Sequence, residues 1–123
     1  IKTVSVSENV CGTSRNIDVY ANTTVYYCYT ATNTGGTLFD THFLTDNQLG
    51  DLLDAFTYTL TPGASISMVS DGVLITESIT NQATWSAEYG DFSASDTDLA
   101  TVTVIPDADV CVYLPTVLKA ILP

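Results

Sequence analysis

Three cysteines, one histidine and a lysine near the start are the side chains of this sequence that invite a chemical reading. The interval between Cys11 and Cys28 is long enough for its loop to bring the two sulfurs together. Oxidised, such a pair restricts the unfolded chain by on the order of 3 kcal/mol; reduced, it is two ordinary thiols. Cys111 is left over, as a small apolar residue, a free thiol or a partner for another chain or domain. A zinc site would draw on the three cysteines and His42, but none of them has CxxC spacing. His42 falls in an alternating run and reads as a packed residue with one hydrogen-bond partner. As a base it would need an exposed nucleophile and an orienting acid. Cys28 is the thiol at hand, and no GxSxG elbow is present. Lys2 and Asn81 could be condensed to an amide beside an acid such as Glu77, with loss of one ammonia.

Carboxylates gather at Asp46, Asp51 and Asp54, at Asp91, Asp96 and Asp98, and at Asp107 and Asp109. Calcium takes several oxygen ligands, and loops at the end of a β-sandwich often supply them. No EF-hand string occurs, so the plainer reading is solvated loops that keep an acidic protein soluble. No metal and no cofactor is expected. Of seven tyrosines, Tyr27, Tyr29 and Tyr58 read as core with their hydroxyls at a rim. Tyr26 and Tyr89 read as exposed, where aromatic rings can hold a sugar or a protein edge. Asn22-Thr23-Thr24 fits a glycosylation sequon.

The elements that must position these residues read as strands. The 123 residues suffice for one domain with its own core. Thr, Val, Ile, Tyr and Phe suit a pleated, half-buried surface, whereas the Lys, Glu, Arg and Gln of helix surfaces are scarce. Fourteen acidic against three basic residues give a net charge of -11. That balance argues against nucleic acid and against an anionic membrane, both of which need clustered cations. No apolar run approaches the roughly 18 residues of a membrane span, and no signal-peptide pattern occurs.

Short runs separated by turn signals predict strands at Thr3–Ser7, Ile17–Tyr20, Thr24–Thr32, Leu38–Thr45, Phe56–Leu60, Ile66–Val69, Val73–Ile79, Asn81–Tyr89 and Leu99–Ile105. In Thr24–Thr32 the face carrying Val25, Tyr27, Tyr29 and Ala31 is apolar and belongs to the core, leaving Cys28 on the other side. Asp46–Asp54 reads as a loop with one helical turn at Leu52-Leu53, and Glu88–Asp98 as a polar loop. Pro62-Gly63 suits a type II turn, and Asp71-Gly72 a tight hairpin. Short strands with turns roughly every 8–12 residues predict an all-β, Greek-key β-sandwich over residues 1–105, of seven to eight strands drawn from these nine runs. Residues 106–123 form an apolar C-terminal tail, a linker or an extra edge strand; its Tyr113–Lys119 stretch reads as a natural C-terminus.

The segments Thr24–Gly35 (TVYYCYTATNTG), His42–Gly50 (HFLTDNQLG), Phe56–Ser65 (FTYTLTPGAS), Ile79–Ala87 (ITNQATWSA) and Asp96–Val104 (DTDLATVTV) together resemble the immunoglobulin-like conserved-repeat domain of bacterial extracellular proteins. Within it, they resemble the variant with an N-terminal cysteine loop and a YCYT strand, found in surface proteins and beside secreted subtilisin-like peptidases. The resemblance spans Val10–Val104. It implies an immunoglobulin-like fold, a Cys11–Cys28 disulfide, an extracellular or cell-surface location and no catalytic activity. It further implies a spacer or interaction module whose partners are neighbouring domains of the same polypeptide, or protein or glycan at the cell surface. The alternative is a carbohydrate- or calcium-binding accessory module of a secreted hydrolase. The sequence departs from antibody-type domains, whose core disulfide packs on a tryptophan: Trp85 lies in a late strand with no cysteine near it.

Overall fold

The computed structural model describes residues 1–106 and consists of strands, turns and loops. Nine strands are present among the described residues: β1 (Lys2–Ser5), β2 (Asn16–Tyr20), β3 (Thr23–Thr32), β4 (Phe39–Asp46), β5 (Gly50–Leu60), β6 (Ser65–Val69), β7 (Val73–Ile75), β8 (Ile79–Tyr89) and β9 (Phe92–Ile105). They form two sheets in a sandwich-like arrangement. One has the order β1-β3-β6, with β7 also on β3; the other has the order β2-β9-β8-β4-β5. All pairings are antiparallel except β2 with β9, which run parallel. Among these residues no helix is long and apolar enough to cross a membrane. The 107–123 tail, including Cys111, Asp107, Asp109 and Tyr113, lies outside the described residues.

Period-two patterning decides which faces meet. Val25, Tyr27 and Tyr29 of β3 are buried, as their alternation predicts, and join Val4, Val19, Leu44, Ile75, Ala83, Ala100 and Val102 in one core. Each tyrosine removes roughly 150–250 Å² from water, which makes the pair a large share of the driving force in so small a domain. Outward-facing threonines pair across strands. Thr80 meets Thr101 at 3.0 Å, Thr84 meets Thr97 at 3.0 Å, and Thr30 meets Ser67 at 2.8 Å. This hydroxyl ladder takes the place of the usual charged surface.

Two segments read as loops are strands. β5 begins at Gly50, so no helical turn forms at Leu52-Leu53. The β4–β5 register slips at three places, and Ala55 adopts a φ of 52°. Such bulges break the alternation on which the sequence reading rests. β9 starts at Phe92, because Gly90 (φ 56°) and Asp91 close a tight turn that pairs Tyr89 with Phe92. Five of the first seven residues of β9 (Ser93, Ser95, Asp96, Thr97 and Asp98) are polar because that half of the hairpin is largely exposed, with Phe92–Thr97 all on the surface.

The turn predictions divide. Gly63 has φ 83°, and the Ala64 amide donates to the Thr61 carbonyl at 3.0 Å, as a Pro-Gly type II turn requires. Asp71-Gly72 makes no hairpin: β6 and β7 both pair with β3. They are two pieces of one edge, interrupted where Ser70 replaces the ladder. The Ser70 amide donates to the Tyr27 carbonyl at 2.8 Å, and the Tyr27 amide donates to Ser70 Oγ at 3.0 Å. The predicted Val73–Ile79 strand accordingly splits between β7 and the start of β8.

Cys11 and Cys28 are joined, with Cα atoms 5.2 Å apart. Cys28 points away from the core, as predicted, yet is only 2% exposed because the N-terminal loop lies over it. Beside Cys11, Gly12 lies so close to β1 that a Cβ there would sit 2.9 Å from the Val4 carbonyl oxygen. Replacing both cysteines by alanine frees a 17-residue interval. This should cost on the order of 3 kcal/mol, read as a lower urea midpoint with a somewhat steeper slope, since the unlinked denatured chain exposes more surface.

A buried lysine, aspartate and asparagine as the candidate site

Among the described residues, a lysine, an aspartate and an asparagine meet in the core from three strands. Lys2 and Val4 are the inward residues of β1, and Lys2 pairs with Tyr29 of β3. The Lys2 backbone amide donates to Asp98 Oδ2 at 2.7 Å, which ties the strand to the opposite sheet. Asp98 is in turn bridged by Arg15 at 3.1 Å, so the start of the chain is held from both sides.

Asp46 closes β4 on the same face as His42 and Leu44. Its two oxygens divide their work. Oδ1 accepts the amides of Gln48 (2.9 Å) and Leu49 (3.2 Å) and so shapes the turn into β5. Oδ2 faces inward and accepts from Lys2 Nζ at 2.7 Å and from the Tyr29 hydroxyl at 2.6 Å. Asn81 lies on the inward face of β8 with Ala83, Trp85 and Ala87. The Asp46 turn is latched beside it, since the Asn47 amide donates to the Gln82 carbonyl and the Gln82 amide to Asn47 Oδ1. Lys2 Nζ also donates to Asn81 Oδ1.

The ammonium therefore sits between the sheets, bonded to an acid and an amide on one and flanked by two rings on the other. Nζ lies 4.6 Å from the Tyr27 ring centre and 5.1 Å from that of Tyr29. Lys2 and Asn81 are each 1% exposed. A cavity of about 520 Å³ beside the lysine is lined by Lys2, Tyr29, Leu44, Ala83 and Asp98 among others.

Burial lowers the Lys2 pKa below the usual lysine value, although the bond to Asp46 and its charge pull the other way. Burial alone would raise Asp46, but the bonds from Lys2, Tyr29 and Gln48 outweigh it and hold the carboxyl below the usual range. Burial pushes both tyrosines up. For Tyr29 the bond to Asp46 and that carboxylate's charge add to the effect; for Tyr27 a bond with Asn81 opposes it.

The structure separates residues that the sequence grouped and groups residues that it separated. Lys2 and Asn81 meet, but the acid beside them is Asp46; Glu77 is exposed. The Tyr29 hydroxyl is directed at that acid and is not at a rim. Tyr58 is 43% exposed, because β5 lies on the open edge of the wider sheet. Tyr89 is exposed, as predicted, and Tyr26 is half-buried. Asn22 is exposed at the β2–β3 turn. His42 is fully buried and has two partners: Nε2 donates to the Tyr58 carbonyl at 2.9 Å, and Nδ1 accepts from Trp85 Nε1 at 3.1 Å. Cys28 is held in the disulfide on the other sheet. Among the described residues no three His, Cys, Asp or Glu side chains converge as a metal site would require.

Raised tyrosine pKa values stabilise the fold below the ordinary value of 10.0 and cease to do so as pH climbs above it. Tyr29→Phe should cost about 2 kcal/mol at neutral pH through the lost bond to a charged acceptor. It should also lose less stability than the parent above pH 10, as read by thermal melts across that range. Comparison of the chain with family models, with curated proteins and with solved structures returns no significant match.

Proposed function

We propose that this chain is an immunoglobulin-like module, serving as a structural spacer or interaction domain in a larger secreted or cell-surface protein. The observation that carries the reading is the Cys11–Cys28 disulfide, which holds the N-terminal loop against the outer face of β3. Structural disulfides persist in oxidising compartments. A domain that carries load profits from having its first strand held by more than ladder hydrogen bonds.

The strand order supports the immunoglobulin-like part of the reading. β9-β8-β4 faces β1-β3-β6, and the chain crosses between sheets at β1–β2, β2–β3, β3–β4, β5–β6 and β7–β8. This is the pattern expected of a Greek-key sandwich with an added edge strand β5. The resemblance of the YCYT and PGAS segments to bacterial conserved-repeat domains points the same way. So does a surface that is acidic and Thr-rich, which keeps neighbouring copies or domains soluble.

A glycan-binding accessory module is the second reading, favoured by one feature. Phe56 and Tyr58 of β5 are 42% and 43% exposed, and their rings stack with centroids 6.5 Å apart and planes within 10°. An exposed pair of parallel aromatic rings on a sparsely charged surface suits the apolar face of a sugar ring.

Antibodies raised against the folded chain should label unbroken cells of the organism that encodes it, or the medium around them; label seen only after lysis overturns the extracellular reading. On a glycan array the spacer reading expects no binding, whereas binding abolished by Phe56→Ala with Tyr58→Ala establishes the second.

A further inference from the structure

A buried ion pair rarely earns its place by stability, since apolar side chains of similar size do as well or better. Lys2, Asp46 and Asn81 nevertheless come from positions 44 and 79 residues apart to meet as buried side chains between the sheets. Their polar atoms are directed at one another, Lys2 Nζ donating to both Asp46 Oδ2 and Asn81 Oδ1. What they share is the composition of an amide-forming reaction: an amine, a carboxamide and an acid between them.

We infer that Lys2 Nζ and the side-chain carbonyl carbon of Asn81 are joined in an intramolecular amide bond, formed by the protein itself with Asp46 as the proton carrier. The amine is held against the carboxamide oxygen, one bond from the carbon it must attack. Holding two reactants in contact replaces a bimolecular encounter with a local one, which is the largest entropic obstacle to such a reaction. Asp46 Oδ2, 2.7 Å from Nζ, is the acceptor for the amine proton. The Tyr29 hydroxyl fixes that oxygen, and the turn amides fix the other, so the acid is oriented from both ends. Desolvation makes the neutral, nucleophilic amine easier to reach.

The step balances without oxidant or cofactor. Asp46 takes one proton from the Lys2 ammonium. The freed lone pair adds to the Asn81 carbonyl carbon, and the carbonyl π electrons move to oxygen. Asp46 returns the proton to the departing carboxamide nitrogen, the carbonyl re-forms and the C–N bond breaks. Ammonia leaves with a proton from the attacking nitrogen, so ammonium and carboxamide have become secondary amide and ammonium ion. Asn81, which carries the leaving nitrogen, lines a second cavity of about 220 Å³ with Tyr27, Gln48 and Ile79, and this gives the ammonia a way out. The product ties β1 to β8 through the core and encloses the Cys11–Cys28 loop within a second covalent ring.

Mass tests this whatever the module's location or partners. The full chain, reduced and denatured, should weigh one ammonia less than its sequence. Trypsin can cut only after Lys2, Arg15 and Lys119. In the linked protein Lys2 resists cleavage, and the peptide ending at Arg15 stays joined to the one beginning at Asn16 after reduction. A full sequence mass overturns the proposal. So does a missing ammonia with those peptides separate, which would mark a succinimide at an asparagine instead. Asp46→Asn keeps the side-chain shape and should give the full mass with a parental circular dichroism spectrum. A folded Asp46→Asn chain that still lacks an ammonia overturns the role given to Asp46, and Lys2→Met, which has no amine to offer, supplies the full-mass reference.

Discussion

Until its amide to Asn81 forms, a lysine ammonium enclosed between two β-sheets sets the terms for much of this structure. A charge taken out of water costs several kcal/mol unless its partners replace the lost solvation. Three kinds of partner do so for Lys2: the Asp46 carboxylate, the Asn81 carbonyl oxygen, and the faces of Tyr27 and Tyr29. Each comes from a different strand, so the sheets can close in only one register. A one-residue slip of β1 would turn Lys2 and Val4 outward together and present Thr3 to the core in their place. The polar cluster thus specifies the alignment of the two layers, while the apolar residues around it provide the driving force.

The first strand needs such specification. β1 is four residues long and pairs only with β3 within its sheet. A strand this short at a sheet edge would fray if held by its ladder alone. It is retained by the Lys2 side chain reaching the opposite sheet, by the Lys2 amide on Asp98, and by the disulfide that fastens the following loop to β3. The parallel pairing of β2 with β9 follows from the same route, because the loop carries the chain over from one sheet to the other before β3 returns it.

How much of this the sequence disclosed varied with the range of the interactions involved. The all-β class, the inward face of β3 and the Pro62-Gly63 turn depend on neighbours within a few residues, and alternation or turn chemistry exposes them directly. The long β5 and the outer half of β9 were hidden because bulges disturb the period of one, and exposure removes the apolar half of the other. Lys2 and Asn81 could be named from their chemistry and their places in early and late strands. Their acid could not: Glu77 is near Asn81 in the chain, but the residue that reaches it is Asp46, delivered by a hairpin turn from a third strand. Asp46 read as one more loop carboxylate because only the folded turn shows that one of its oxygens faces the core.

That dual use of Asp46 is itself informative. An acid serving only the turn could be replaced by asparagine or serine, which accept turn amides equally well. An acid serving only as counter-ion would not need to sit at the end of β4, where the turn begins. Placing it at the strand end, with one oxygen fixed by backbone amides and the other by the Tyr29 hydroxyl, removes the rotational freedom a carboxylate otherwise keeps. Fixed orientation adds little to a simple ion pair, whose attraction is nearly isotropic. Proton transfer between two specified nitrogen atoms depends on it directly. The geometry around Asp46 therefore resembles that of a positioned acid–base group more than that of a counter-ion, and the tyrosines that seal it from water serve the packing of the core with the same atoms.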